Sequence, residues 1–182
     1  MKNLFSVLLI AILLYLVTRK TVDIVTDKKL SENFNLKEFL KTNYVGIKNI
    51  PNEQQVSNLE FLVKEVLQPL RDYLGKPVEI TSGFRSKELN FKVGGSATSQ
   101  HSKGEAADIK VKGLRPDYLA DVIMKLGLPY DQMIIEKVHY PNGGYAEWLH
   151  VSAKKEGNRK QLASITNTPN DLKKIFKHIS YG

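Results

Sequence analysis

The amino-acid sequence predicts an α+β fold, in one small domain whose N-terminal helices pack on an antiparallel sheet. Apolar residues recur at steps of three and four between residues 51 and 75, a spacing typical of an amphipathic helix. Further along the chain, short β-branched segments alternate with turn residues, which predicts strands. The 182 residues suffice for one domain with a buried core and leave little room for a second.

The first 20 residues predict a signal-anchor or transmembrane segment ahead of the domain. The run from Leu4 to Val17 is apolar except for Ser6. It has the length of a signal-peptide core and is shorter than the roughly 17 to 25 residues of a full membrane span. No small-x-small cleavage motif follows it, and whether it is cleaved stays open. We expect membrane contact through Leu4 to Val17, and then a polar linker over residues 21–32.

Three helices are predicted in the domain, which we place at residues 33–153. Asn35 and Glu38 have the spacing of a capping box and predict a short first helix. The long second helix begins at Pro51 and ends at Gly75. The third covers about residues 116–126, between an Arg-Pro-Asp start signal and a glycine.

Four short strands complete the predicted domain. Each is rich in β-branched or aromatic residues and lies next to turn signals, such as the Pro-Asn-Gly-Gly turn before the last strand. Their predicted ranges are residues 78–81, 107–111, 133–135 and 148–152.

Composition narrows the possible chemistry. The chain has no cysteine, which excludes thiolate zinc sites, disulfides and cysteine nucleophiles. The formal net charge is +8, and the tail at residues 154–182, which we predict to be helical, holds seven basic and two acidic side chains. Such charge suits acidic wall polymers, anionic lipids or simple solvation. We expect no nucleic-acid partner, because the tail lacks interleaved aromatics and a known motif.

Three motifs carry side chains suited to catalysis. His101 and Asp108 are separated by six residues that include glycine and alanine, so the loop can fold back and bring both to one ion. Glu147 and His150 lie three apart at the start of a predicted strand. Arg85 follows Ser-Gly-Phe, a turn after the first predicted strand.

These residue types together match a catalytic zinc site. Two imidazoles and one carboxylate fill three positions of a tetrahedral ion and leave the fourth for water. A free carboxylate, here Glu147, can take the proton from that water. Arg85 can hold a substrate carbonyl or carboxylate. Taken singly, each histidine could be an ordinary core or surface residue, Asp108 a strand-end hydrogen-bonding group, and Arg85 an ion-pair partner.

The motifs resemble a known enzyme family. Three segments are similar to motifs of the zinc peptidases of peptidoglycan. They are SGFRS at residues 82–86, SQHSKGEAAD at residues 99–108 and EWLH at residues 147–150. That family includes D-alanyl-D-alanine carboxypeptidases, D-Ala-D-Ala dipeptidases and the L-alanyl-D-glutamate endopeptidases of phage endolysins. The resemblance spans residues 33–152. It looks closest to the single-domain branch, in which LxPLRxxLGKP, here residues 67–77, precedes the arginine turn.

The resemblance implies the roles of individual residues. It implies a Hedgehog/DD-peptidase-like α+β sandwich with the zinc on the sheet. His101, Asp108 and His150 would hold one Zn²⁺ per chain, Glu147 would be the general base, and Arg85 would bind substrate.

A second candidate base comes from the same resemblance. In the single-domain branch the residue before the tryptophan varies, whereas DQxIxE, here residues 131–136, is usual. Glu136 is therefore the alternative to Glu147. We expect His139 to lie in a surface loop, although it could enter the site, and His178 to have no role at the metal.

The function implied is a zinc-dependent carboxypeptidase or endopeptidase that cuts peptidoglycan peptide stems outside the cytoplasmic membrane. It would serve wall remodelling or phage lysis, as an exported or membrane-anchored monomer. Which bond is cut stays open. The alternative is a binding module that keeps the zinc site and grips peptidoglycan or a protein without cutting it.

Overall fold

The computed structural model describes residues 7–17, 27–168 and 171–178. Residues 7–17 form helix α1, whose apolar side chains are exposed. Residues 1–6 and 18–20 of the predicted anchor and residues 21–26 of the predicted linker lie outside the described residues. Across these three ranges, no helix combines the length and the apolar character needed to cross a membrane.

Helices form the first half of the domain, as the apolar spacing predicts. The capping box at Asn35 and Glu38 is present and begins the short helix α2. A second capping box, between Asn52 and Gln55, begins the long helical stretch, and Gly75 ends it with a left-handed φ of 59°. The bounds are Leu36–Phe39 for α2, Glu53–Leu62 for α3 and Gln68–Leu74 for α4, with a π-helical turn at Val63–Leu67 between the last two.

The π turn has a cause in the sequence. Pro69 has no backbone N–H, and its ring would clash with a carbonyl one turn earlier in a regular α-helix. The chain widens there, so that Gln68 donates its N–H to the carbonyl of Val63, five residues back. The helical stretch therefore continues past the proline and keeps one buried face.

Six strands form one mixed sheet in the order β1-β2-β4-β3-β5-β6. Five of them form the body of the sheet, and β6 pairs with β5 at its edge. Two further helices and a 3₁₀ turn lie in the connections between the first three strands. The bounds are Glu79–Ser82 for β1, Lys87–Lys92 for α5, His101–Lys103 for the 3₁₀ turn, Ala106–Lys110 for β2, Pro116–Lys125 for α6, Gln132–His139 for β3, Tyr145–Ser152 for β4, Gln161–Thr168 for β5 and Asp171–His178 for β6.

Two sequence predictions are wrong in this region. The sheet is not purely antiparallel, because β3 and β5 pair in parallel. The tail after residue 153 is not helical at residues 161–168 and 171–178, which are the strands β5 and β6. The strand β5 is stabilised by burial of Leu162, Ala163 and Ile165 beside β3. The domain therefore extends beyond residue 153.

The two faces of the sheet have different roles. Residues paired across strands share a face, and successive residues alternate between faces. One face is apolar and belongs to the same buried core as the apolar side of α3 and α4. It carries Ile109, Met133, Leu149 and Val151. Their sequence neighbours, such as His150, lie on the other face. The polar face therefore holds the candidate functional residues.

Candidate metal centre and cleft

Two histidines and one aspartate converge on the polar face of the sheet. Asp108 on β2 and His150 on β4 are direct cross-strand partners, and His101 reaches them from the 3₁₀ turn. Oδ1 of Asp108 lies 3.0 Å from Nδ1 of His150 and 3.2 Å from Nε2 of His101. The two nitrogens are 3.1 Å apart. All three side chains are buried.

This triangle of donor atoms can hold one metal ion. In a tetrahedral zinc site with bonds of about 2.0–2.1 Å, neighbouring ligand atoms lie about 3.3–3.4 Å apart. The observed separations of 3.0–3.2 Å are close to that value. Two imidazoles and one carboxylate are also donors that zinc accepts, with one position left for water or substrate. The structure thus brings together the three residues that the sequence proposes as ligands.

Backbone contacts orient His101. Its Nδ1 lies 2.7 Å from the carbonyl oxygen of Gly83, which places the ring proton on Nδ1 and leaves Nε2 to face the cluster. The turn itself is held by α3, since Nε2 of Gln55 donates to the carbonyl of Ser102 over 2.9 Å. Gly104 ends the turn with a φ of 73°, where a Cβ would lie 2.3 Å from the Gln55 carbonyl oxygen. The imidazole position is therefore fixed from two sides.

Asp108 is held by contacts to both of its oxygens. Oδ1 faces the two histidines, and Oδ2 accepts a hydrogen bond of 2.6 Å from Nη2 of Arg85. Burial raises the pKa of Asp108, but the electrostatic and hydrogen-bonding contacts with His101 and His150 outweigh it and hold the pKa well below its usual range. The group is therefore an ionised carboxylate, the form that binds a metal.

Arg85 reaches Asp108 from a turn that Asn49 fixes. The buried Asn49 donates to the carbonyl of Phe84 over 2.8 Å and accepts from the backbone N–H of Ser86 over 2.7 Å. Nε of Arg85 donates to Oγ of Ser82 over 2.8 Å. Arg85 is recognisable in the sequence and Asn49 is not, because nothing near Asn49 in the chain indicates a contact 35 or more residues away.

A cleft of about 710 Å³ opens over the cluster and contains Glu136. On β3 this residue is the cross-strand partner of Trp148 on β4, and Trp148 lies two residues from His150. Glu136 and Trp148 therefore share the face of the metal ligands, and both line the cleft. The carboxylate that the structure adds to the candidate site is Glu136, the alternative base of the sequence analysis.

Glu147 lies on the opposite face of the sheet. Its cross-strand partner is Lys137, and it lies three residues from His150, an odd number. It lines a separate cavity of about 290 Å³ with Pro116 and Leu119. The structure therefore does not bring Glu147 to the three ligands, and the sequence-based role of general base has no geometric support there.

The other histidines have different surroundings. His139 is the last residue of β3, so the expected surface loop is wrong. Its ring is tilted against that of Tyr145, with centroids 6.0 Å apart, and it is not among the residues that line the cleft. The side chain of His178 lies outside the described ones, so its expected lack of a role at the metal stays a prediction.

A buried ion-pair network lies beside the cluster and was missed in the sequence. Asp131 is fully buried and accepts from the backbone N–H and Nε of Arg159, each over 2.9 Å, and from Nζ of Lys154 over 2.9 Å. Burial raises the pKa of Asp131, but the hydrogen bonds from Arg159 and Lys154 outweigh it and hold the pKa well below its usual range. In the sequence, Lys154 and Arg159 indicate only a basic tail and no ion pair with Asp131.

Fold and site together define a class of protein: a single α+β domain with a candidate mononuclear metal centre in an open cleft. The chain belongs to the peptidase M15 family, whose model matches residues 32–136, more than half of its length. The family consists of zinc-dependent metallopeptidases. A search of curated proteins found no match. The matched residues include Arg85, His101, Asp108 and Glu136. They end before Glu147, His150 and Arg159.

Proposed function

We propose that this protein is a zinc-dependent peptidase that hydrolyses peptide bonds in peptidoglycan stems, as a carboxypeptidase or an endopeptidase. The observation that carries the proposal is the triangle of His101, Asp108 and His150 donor atoms beneath a cleft that also contains Glu136. Membership of the peptidase M15 family supports the same reaction class.

The residues of the cleft have distinct tasks in this mechanism. Zinc, when bound, supplies Lewis acidity, which polarises a carbonyl and makes a water molecule more acidic. The carboxylate of Glu136 takes a proton from the attacking water and delivers it to the leaving amine, so that one C–N bond is replaced by a C–O bond. Arg85 orients Asp108, and Ile134 and Trp148 give the cleft apolar walls.

The place of action is part of the proposal. The apolar run from Leu4 to Val17 suggests an exported or membrane-anchored protein that meets peptidoglycan outside the cytoplasmic membrane. The excess of basic residues favours attraction to acidic wall polymers. Wall remodelling and phage lysis both fit this arrangement.

Digestion of purified peptidoglycan tests the function. The zinc-loaded full chain should release stem fragments that mass spectrometry identifies, and the products also show which bond is cut. A chelator should abolish digestion and added zinc should restore it. H101A, D108A and H150A should each lose bound zinc, whereas H139A, which changes a histidine that does not line the cleft, should retain it.

Two results would contradict the proposal. If the three substituted proteins kept one metal ion per chain, the ligand assignment would be wrong. If zinc-loaded wild-type protein bound peptidoglycan and released no fragment, the chain would be a binding module.

A further inference from the structure

Arg159 lines the same cleft as the metal cluster and Glu136, and it contacts Asp131, which precedes β3 and lies five residues before Glu136. Among the described residues that line this cleft, only Arg85 and Arg159 are lysine or arginine. The two differ in what they can still bind. The Arg85 side chain is 19% exposed and donates to Asp108 and Ser82, whereas the Arg159 side chain is 48% exposed. Arg159 is therefore the cation open to a ligand.

The guanidinium of Arg159 is held along one edge. Its Nε and Nη2 both donate to Oδ2 of the buried Asp131, and Nη2 lies 3.3 Å from Oε1 of Gln100. Within the described part of the chain, Nη1 has no acceptor. The N–H groups of Nη1 can therefore donate to a carboxylate oxygen of a ligand in a charge-assisted hydrogen bond.

The loop that presents Arg159 is closed by its own hydrogen bonds. Oδ1 of Asn158 accepts from the backbone N–H of Lys154 over 2.8 Å, and Nδ2 of Asn158 donates to the carbonyl of the same residue over 2.7 Å. The backbone N–H of Arg159 donates to Asp131. The guanidinium is thus ordered before any ligand arrives, which reduces the entropy lost on binding.

The position of Arg159 relates it to the metal ligands by a short chain of contacts. Oε1 of Gln100 accepts from both Arg159 and Oγ of Ser152, the latter over 2.8 Å. Ser152 lies two residues after His150 on β4, about 6.8 Å along the strand. An extended peptide advances about 3.3–3.6 Å per residue. A peptide that runs along β4 in the cleft would therefore bring a group two residues from the metal centre level with Ser152, on the side where Gln100 contacts Arg159.

From these observations we propose that Arg159 forms a carboxylate-binding subsite in the cleft, which takes a free carboxylate of the substrate about two residues from the scissile bond. This inference rests on the proposed function for the nature of the substrate. The subsite selects stems in which that carboxylate is free and disfavours stems in which it is a carboxamide, because a carboxamide oxygen carries no negative charge and accepts a weaker hydrogen bond from Nη1.

Matched peptides test the subsite. The probes are a synthetic peptidoglycan stem peptide with all carboxylates free and a set in which one carboxylate at a time is a carboxamide. Trp148, the only tryptophan of the chain, lines the cleft, so its fluorescence after rapid mixing reports binding before turnover. Cleavage of the same peptides by the zinc-loaded protein is followed in parallel.

One carboxamide should weaken binding to the wild-type protein by about 10- to 100-fold, the loss expected for a charge-assisted hydrogen bond. R159Q should bind the free and amidated peptides equally well. R159K, which keeps the charge but cannot contact Asp131 and a ligand together as the guanidinium does, should show an intermediate preference. The matched control is K154M, which removes the other side-chain partner of Asp131 without touching the cleft and should keep the wild-type preference.

The outcomes separate the subsite from the proposed function. If folded R159Q keeps the wild-type penalty for amidation, or if amidation has no effect on the wild type, the subsite is wrong even where cleavage occurs. If the preference is present and depends on Arg159 but no peptide is cut, the subsite holds and the peptidase function fails. If K154M loses the preference as R159Q does, Arg159 acts only by supporting the fold. If no peptide changes the Trp148 signal or is cut, both proposals are wrong.

Discussion

Arg85 donates a 2.6 Å hydrogen bond from Nη2 to Oδ2 of Asp108, on the carboxylate whose other oxygen faces the two histidines. The resemblance to peptidoglycan peptidases assigns this arginine to the substrate. The structure gives it a contact with a candidate metal ligand, and such contacts orient a ligand and set its affinity for the metal.

Replacing Arg85 by lysine should therefore weaken zinc binding. An ammonium cannot reach Asp108 and Ser82 together as the guanidinium does, so the Asp108 carboxylate loses one anchor. We expect R85K to bind zinc about 10- to 100-fold more weakly, measured by competition with a chelating dye. The control is R115K, whose arginine pairs with Asp117 at the surface. Unchanged zinc affinity with impaired digestion would instead favour the substrate role for Arg85.

The two candidate bases can be compared directly, because they lie on neighbouring strands and on opposite faces of the sheet. E136Q should keep its zinc and lose about 10²- to 10⁴-fold in turnover, since the attacking water loses its proton acceptor. E147Q should keep a zinc content and a turnover close to those of the wild type. Rates of peptidoglycan digestion, with zinc content measured on the same samples, decide between them. A large loss in E147Q alone would restore the sequence-based assignment.

The position of Glu147 shows what the EWLH motif could and could not predict. The EWLH motif and the loop motif contain the three residues that the structure brings together, His150, His101 and Asp108, because both motifs are compact in the sequence. Whether Glu147 faces the same side depends on where the strand begins. The strand β4 already begins at Tyr145, so Glu147 lies within it, and an offset of three places it on the opposite face.

The end of the chain was mispredicted for a different reason. The basic residues near Arg159 and Lys160 suggested a solvated helix, whereas residues 161–168 form the strand β5 in parallel with β3. Strand formation there depends on a partner about 30 residues earlier, and local sequence carries little of that information. The Asp131 to Arg159 contact spans the same gap and was missed with it.

The buried Asp131 should make the fold sensitive to acid. Its pKa in the folded state is held below the unfolded value of about 3.9, so the folded state binds the proton less readily. The stabilisation is therefore complete above about pH 5 and is lost progressively as the pH falls further, through the unfolded pKa towards the folded one. D131N should lower the free energy of unfolding at pH 7 by about 2–4 kcal/mol, somewhat less than the cost of about 3–5 kcal/mol for breaking a fully buried pair, because Arg159 is partly exposed.

Chemical denaturation at a series of pH values measures this effect. The difference between wild type and D131N should shrink as the pH falls below 4. D117N is the comparison, because Asp117 also has a lowered pKa but pairs with Arg115 at the surface, where ion pairs contribute little. A difference that stays constant down to pH 2 would show that the lost contacts are not electrostatic.

The packing of Gly83 against Phe39 should connect the helical layer to the metal centre. A Cβ at Gly83 would lie 2.6 Å from the backbone Cα of Phe39, which is fully buried, so the turn would have to move. The same turn supplies the carbonyl that orients His101. G83A should therefore destabilise the fold by about 1–3 kcal/mol and also weaken zinc binding. G144A, whose Cβ would meet nothing closer than 3.4 Å, should do neither. Thermal unfolding with and without zinc separates the two effects, and a G83A protein that lost stability but kept full zinc affinity would show that His101 does not depend on this carbonyl.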